Sequence, residues 1–167
     1  SLELGGKNPM IVCADADPAT VAEAAVAGMN FAWAGQSCGS NSRLLVHESL
    51  YDDVVQRVVA QVSAIRVGDA LDPESQMGPV NSAAHYQRVL SFVESAKQDG
   101  AKILTGGERP RGEAFRRGYW LRPTVNGDVT MEMRVAREEI FGPILSILRW
   151  KTEAEAISPD GLPLEDR

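Results

Sequence analysis

Two side chains in this sequence pair a reactive type with neighbours that suit covalent chemistry. Cys38 lies in Gly35-Gln36-Ser37-Cys38-Gly39-Ser40-Asn41-Ser42, a run of glycines and small polar residues that reads as a tight loop. Such a loop leaves a sulfur accessible and sets backbone N–H groups beside it. A thiol attacks as its thiolate, so its free pKa of about 8.5 has to be lowered by those surroundings. A small buried hydrophobe is the other reading of a single cysteine, and residue type alone leaves both open. Glu3 precedes Leu4-Gly5-Gly6-Lys7. A carboxylate beside paired glycines can stand where backbone or ligand approaches closely; taken alone, it is an ordinary surface glutamate. Cys13 ends the apolar run Met10-Ile11-Val12-Cys13 and reads as a buried structural residue.

Other chemistries find little support. Gly5-Gly6-Lys7 lacks the earlier glycine and the following Ser or Thr of a phosphate loop. No G-x-G-x-x-G is present, so no dinucleotide fingerprint is claimed. His47 and His85 have no metal-type spacing with each other or with a cysteine, and no metal site is expected. His47 continues an apolar strand and reads as structural. A Cys–His hydrolase stays open, because such a pair is adjacent in space rather than in sequence. The net charge of -6 and pI near 5.0 argue against nucleic acid as a partner and against an anionic membrane surface. No apolar stretch reaches the roughly 18 residues of a membrane span, and no signal peptide is visible at the start. Two cysteines in 167 residues point to a reducing, cytoplasmic setting rather than a disulfide scaffold.

The elements that must position these residues alternate. Met10 to Cys13 reads as a buried strand. Asp17-Pro18 opens a helix expected to reach about Ala34, with Val21, Ala25, Met29 and Ala32 on one face. After the Cys38 loop, Leu44-Leu45-Val46 is a second buried strand. Ser49 caps a helix carrying Tyr51, Val54, Val55, Val58, Val62 and Ile65 and ended by Gly68. Asp69 to Pro79 is a loop, and a third helix runs from Ser82 to just before Gly100. Ile103-Leu104, Tyr119 to Val125 and Ile144 to Trp150 read as further strands, with a polar Arg-rich excursion over Gly106 to Gly118. Strands alternating with helices predict an α/β fold with a mostly parallel sheet flanked by helices.

Three blocks together resemble the aldehyde dehydrogenase superfamily. Glu3-Leu4-Gly5-Gly6-Lys7-Asn8-Pro9 looks like its glutamate motif, Gly35-Gln36-Ser37-Cys38 like its cysteine motif, and Glu138-Glu139-Ile140-Phe141-Gly142-Pro143 like the block that meets the nicotinamide end of the cofactor. They occur in the family's order, and the match covers about residues 1–157. The resemblance implies an aldehyde-dehydrogenase catalytic-domain-like fold and oxidation of an aldehyde to an acid with NAD or NADP as cofactor. Cys38 would be the nucleophile and Glu3 the general base, acting through a thiohemiacetal and a thioester. Glu139, Phe141 and Gly5 would meet the cofactor. In the family the glutamate matching Glu139 holds the nicotinamide ribose, and the aromatic matching Phe141 packs near the nicotinamide. His85 and Arg88 fall where some members touch the adenosine ribose, and Arg43 matches an arginine read as a structural partner of the loop. A small-molecule aldehyde substrate and a homo-oligomer are the implied partners.

The resemblance stops short in two places. The family's Rossmann-type region, with most of the cofactor site, is expected ahead of the glutamate motif, and this chain opens on Ser1 as an internal piece would. Residues 158–167 match nothing in the family and are expected to form a flexible tail. Residues 1–157 are therefore expected to be part of a catalytic domain with little turnover by themselves. Two competing functions remain: a cofactor-free thiol esterase using Cys38 and Glu3, and a non-catalytic truncated subunit or scaffold.

Overall fold

Pro18 follows a side chain able to cap a helix, and the helix begins there. In this computed structural model, which describes residues 1–2 and 4–157, the Asp17 carboxylate accepts from the Thr20 N–H, opening α1 (Pro18–Gly28). That satisfies one of the donors a helix leaves unpaired at its start. α1 is shorter than the sequence predicts. Asn30 and Ala34 both take left-handed φ, at 55° and 53°, bracketing a single 3₁₀ turn over Phe31–Trp33. Asparagine visits that region more readily than most residues, so the chain turns out of α1 toward the Cys38 loop. Val21, Ala25 and Met29 are buried as expected, but Ala32 lies beyond the break and is exposed.

The strands are β1 (Pro9–Val12), β2 (Arg43–His47), β3 (Lys102–Thr105), β4 (Thr124–Val129) and β5 (Ile144–Trp150). They form one sheet in the order β1-β2-β5-β4-β3. β1, β2, β5 and β4 run parallel, and β3 pairs antiparallel with β4 on one edge. The α/β, mostly parallel expectation therefore holds. The fourth strand begins later than predicted: residues 119–123 are not strand, and β4 enters at Thr124, whose N–H donates to the Pro143 carbonyl at 2.8 Å.

Helices cover both faces. α1 and α2 (Tyr51–Ser63) pack on one, against Val12, Leu44, Val46, Val125, Leu145 and Ile147. α3 (Ala83–Gln98) and the short α4 (Arg134–Arg137) pack on the other, against Leu45, Ile144 and Leu148. The alternation along β2 and β5 is the period of two of a pleated strand with both faces buried. Removing one such Leu or Phe side chain from water is worth about 1.5–3 kcal/mol. α2 starts at Tyr51 behind Leu50 as its cap, not Ser49, because the Ser49 hydroxyl is held 2.8 Å from His47 Nδ1. Neither α4 nor α5 (Glu153–Ile157) is predicted; four and five residues are too few for a helical period to declare itself.

β1 departs from the sequence reading. It is an edge strand, not a buried one, and Ile11 is 45% exposed. Cys13, just past its end, is exposed as well. The apolar run is correctly a strand, but among the described residues no strand pairs with its outer edge.

Candidate functional site

The topology gathers three segments that are far apart in sequence. Residues 4–8 lead into β1, residues 35–42 into β2, and residues 138–143 into β5. These three strands are adjacent and parallel, with Pro9 opposite Arg43 and Arg43 opposite Ser146. All three segments must therefore emerge along the same, amino-terminal edge of the sheet. Open parallel sheets more often carry ligands at the carboxyl ends of their strands, so here the local loops decide.

The Cys38 loop is fixed at both ends. The Asn41 N–H donates to the Gly28 carbonyl at 2.9 Å. A Cβ on Gly28 would meet the Asn41 side-chain amide at 2.6 Å, so the two residues pack closely. The Gln36 side-chain oxygen accepts from the Asn81 N–H at 3.0 Å, tying the loop to the start of α3. Inside the loop, the Ser40 N–H donates to the Ser37 carbonyl at 3.1 Å and the Gly39 N–H to the Ser37 hydroxyl at 3.2 Å. Among the described residues, the Cys38 N–H donates to no protein acceptor. Cys38 itself is exposed. An accessible sulfur with an uncommitted N–H beside it has the geometry to form a tetrahedral adduct and hold its oxyanion.

The segment before β1 braces that loop. The Asn8 side-chain amide donates to the Cys38 carbonyl at 2.5 Å and to the Ser40 carbonyl at 3.3 Å. The Arg43 N–H donates to the Asn8 carbonyl at 3.3 Å, and Arg43 Nε to the Lys7 carbonyl at 2.9 Å. Through these bonds Arg43 holds the segment before β1. Lys7 has a buried Nζ with no hydrogen-bond partner among the described residues. Burial first, then repulsion from Arg43, lowers its pKa from 10.5 to about 8, against a smaller attraction from Glu139.

The third segment closes the site. A Cβ on Gly5, whose φ is +70°, would collide with the Glu139 carboxylate, so the first and third blocks touch. Gly35, at φ +64°, leaves no room for a Cβ against the Gly142 carbonyl, so the second and third touch too. Phe141 takes a left-handed φ of 56° and is 37% exposed. His85 Nε2 donates to the Phe141 carbonyl at 2.6 Å, and Arg88 Nη2 to the Glu139 carbonyl at 2.7 Å. Both side chains, placed by the resemblance near an adenosine ribose, here hold the backbone of residues 139–141.

Cys38, Gly5, Glu139 and Phe141 are thus assembled at one edge. Glu3 lies outside the described residues, as does the stretch 158–167. Cys13 is not part of this edge: it sits past the carboxyl end of β1 and shares a cavity of about 540 Å³ with Ile11, His47, Trp150 and Ile157. His47 stacks edge-on against Trp150 with ring centroids 4.8 Å apart, in keeping with a structural role. No group of three or more His, Cys, Asp or Glu side chains able to hold a metal occurs among the described residues. Sequence reasoning missed Asn8 and the paired hold of His85 and Arg88. Pro9 was a usable signal for Asn8, since a residue before proline is driven to extended backbone.

The model of the "Aldehyde dehydrogenase family" matches residues 1–159. The chain belongs to that family. As an aldehyde dehydrogenase family member it is 47% identical over 161 residues to "Aldehyde dehydrogenase tropH" of Talaromyces stipitatus, covering 94% of this chain and 31% of the relative. It is 46% identical over 158 residues to "Aminoaldehyde dehydrogenase 1, peroxisomal" of Pisum sativum, covering 95% and 31%. Among solved structures, a betaine aldehyde dehydrogenase of Staphylococcus aureus in complex with NAD+ superposes with a TM-score of 0.88 at 39% identity, covering 93% of this chain and 32% of that one. A 3,6-anhydro-L-galactose dehydrogenase matches with a TM-score of 0.89 at 40% identity, covering 93% and 32%. The chain therefore spans about a third of the length of these relatives.

Proposed function

We propose that this chain carries the nucleophile and general base of NAD(P)+-dependent aldehyde oxidation, with Cys38 and Glu3 in those roles. One observation carries the reading: an exposed Cys38 with a free N–H stands where the segments before β1 and β5 converge. The Cys38 thiolate adds to the aldehyde carbon, and the oxyanion of the thiohemiacetal is held in part by the Cys38 N–H. A bound nicotinamide cofactor supplies the hydride acceptor. The residues present suit that group: Glu139 offers a half-buried carboxylate to ribose hydroxyls, and the ring of the partly exposed Phe141 offers an apolar face to a flat heterocycle. The resulting Cys38 thioester is hydrolysed by water that Glu3 deprotonates.

Relatives of this length ratio leave most of their own chain unmatched, so the complete reaction is proposed for the longer protein, and little turnover is proposed for residues 1–167 alone. An aldehyde is the proposed substrate class, in line with the names of the relatives. The nucleophile half is testable with this chain. An activated ester such as p-nitrophenyl acetate is incubated with it, and acylation is followed by peptide mass spectrometry. Both cysteines are exposed, so access does not separate them and Cys13 is an internal control. Cys38 is expected to acylate faster. Equal acylation, or faster acylation at Cys13, would sink the proposal.

A further inference from the structure

The geometry points to Asn8 as the residue that positions the Cys38 nucleophile, by clamping the carbonyls on both sides of Gly39. This rests on the reading of Cys38 proposed above and deepens it. The Asn8 amide reaches across 30 positions of sequence to the Cys38 carbonyl at 2.5 Å, and to Ser40 at 3.3 Å. Those two contacts use the amide NH₂, which carries two donors. The backbone of Asn8 completes the hold, its carbonyl accepting from the Arg43 N–H at 3.3 Å. One residue therefore grips the loop at 38, 40 and 43.

The direction of these bonds matters to the chemistry. Fixing the Cys38 carbonyl sets the peptide plane that follows the nucleophile, and fixing the Ser40 carbonyl sets the plane two residues further on, because each peptide unit is rigid. The Cys38 N–H lies in the preceding plane, one Cα away, where the Ser40 N–H holds the Ser37 carbonyl at 3.1 Å. The loop contains two glycines and small side chains, so it has few packing contacts of its own and considerable backbone freedom. Without the clamp, the Cys38 and Ser40 carbonyls lose their tie to the segment before β1. Asn8 touches neither substrate nor cofactor in this argument; it acts through the backbone of Cys38 and is a positioning residue.

The grip also joins two blocks into one unit. Asn8 belongs to the segment that carries Glu3, and the clamp fixes that segment to the one that carries Cys38. The nucleophile's loop is thereby set against the segment before β1 before any ligand arrives, and such preorganisation favours covalent catalysis.

Three variants of the chain test the assignment: Asn8→Ala removes the donors, Asn8→Ser leaves one shorter donor, and Asn8→Asp keeps the shape but replaces the donors with acceptors. Amide hydrogen exchange across residues 37–42 and the p-nitrophenyl acetate acylation ratio of Cys38 to Cys13 are measured for each. Asn8→Ala is expected to speed exchange in that segment about tenfold, as loss of two net hydrogen bonds of ordinary strength allows, and to lower the acylation ratio. Asn8→Ser should recover part of both. Asn8→Asp should lower the ratio most and move the pH at which Cys38 reacts upward, because a carboxylate beside a thiolate disfavours it; a residue that only filled space would leave that profile in place. Unchanged exchange and an unchanged ratio in a folded Asn8→Ala chain would overturn the assignment. Should Asn8→Asp not fold, the Ala and Ser variants decide. If the parent chain is not acylated at Cys38, the nucleophile reading falls, while hydrogen exchange still reads the clamp.

Discussion

Lys7 makes the stability of this chain depend on pH in an unusual direction. Its ammonium nitrogen is buried without a hydrogen-bond partner among the described residues, and burial together with Arg43 brings its pKa from 10.5 to about 8. At about pH 7 the folded chain still carries that proton and bears its cost; the unfolded chain carries it freely. Between about pH 8 and 10.5 the folded chain has released the proton while the unfolded chain still binds it. Stability therefore rises with pH across that window. At 1.36 kcal/mol per unit, the gap between 10.5 and about 8 amounts to about 3 kcal/mol when fully expressed. Two groups oppose the trend at the upper end. Burial raises the Tyr51 pKa, and the bond to Asp128 raises that of Lys102, so each loses its contribution as pH climbs through its folded value. The clean comparison is thus between about pH 7 and 9.5. Lys7→Met keeps the length of the side chain and removes the charge. Urea unfolding followed by fluorescence of Trp33, Trp120 and Trp150 measures both chains. The parent should gain stability by about pH 9.5, by up to roughly 2 kcal/mol. The variant should be the more stable at about pH 7, by up to about 3 kcal/mol, and nearly flat with pH. A parent curve that falls or stays level over that range, or a variant that is less stable at neutral pH, would refute the reasoning.

Three further substitutions probe the frame around the site. Phe92 is fully buried beneath the Arg88 and Arg134 guanidinium groups, 5.0 and 4.0 Å from its ring. Phe92→Ala should cost about 3–5 kcal/mol in denaturant unfolding, whereas a loss under about 1 kcal/mol would contradict the packing described. The Ser82 hydroxyl caps α3 by accepting from the His85 N–H at 3.2 Å; Ser82→Ala should cost about 1 kcal/mol and speed amide exchange in the first turn of α3. His85→Ala should speed exchange over residues 139–142 without a comparable effect in β2, since His85 Nε2 holds the Phe141 carbonyl; uniform acceleration would mean a global effect instead.

Much of the layout could be read in the sequence because the strongest signals are local. Val54, Val58 and Val62 recur at helical spacing and are buried together on α2. Leu44, Leu45 and Val46 form a run buried on both faces. The Asp17-Pro18 start is a cap that needs no tertiary information. The misreadings share a physical cause: each depended on a neighbour distant in sequence. Ile11 and Cys13 look like core residues, and only the strand order leaves them on an edge. α1 stops at Gly28, whose carbonyl accepts from the Asn41 N–H at 2.9 Å. The bonds of Arg88 and His85 to the carbonyls of Glu139 and Phe141, 51 and 56 positions onward, were likewise out of reach of a local reading. At the site, the motif residues were legible as types, but nothing in the sequence places Asn8 against a carbonyl 30 positions away.

Gly35 is excluded from change twice over, by its positive φ and by the Gly142 carbonyl facing it. Every other amino acid brings a Cβ, so none offers a gradual route away from glycine. Relief would require the facing loop to move first, and that loop is anchored by His85 and Arg88. In a library randomised at this codon, survivors selected for folding should therefore return glycine almost alone. The path through sequence space is closed at that residue for a reason of space, independent of any demand that catalysis makes.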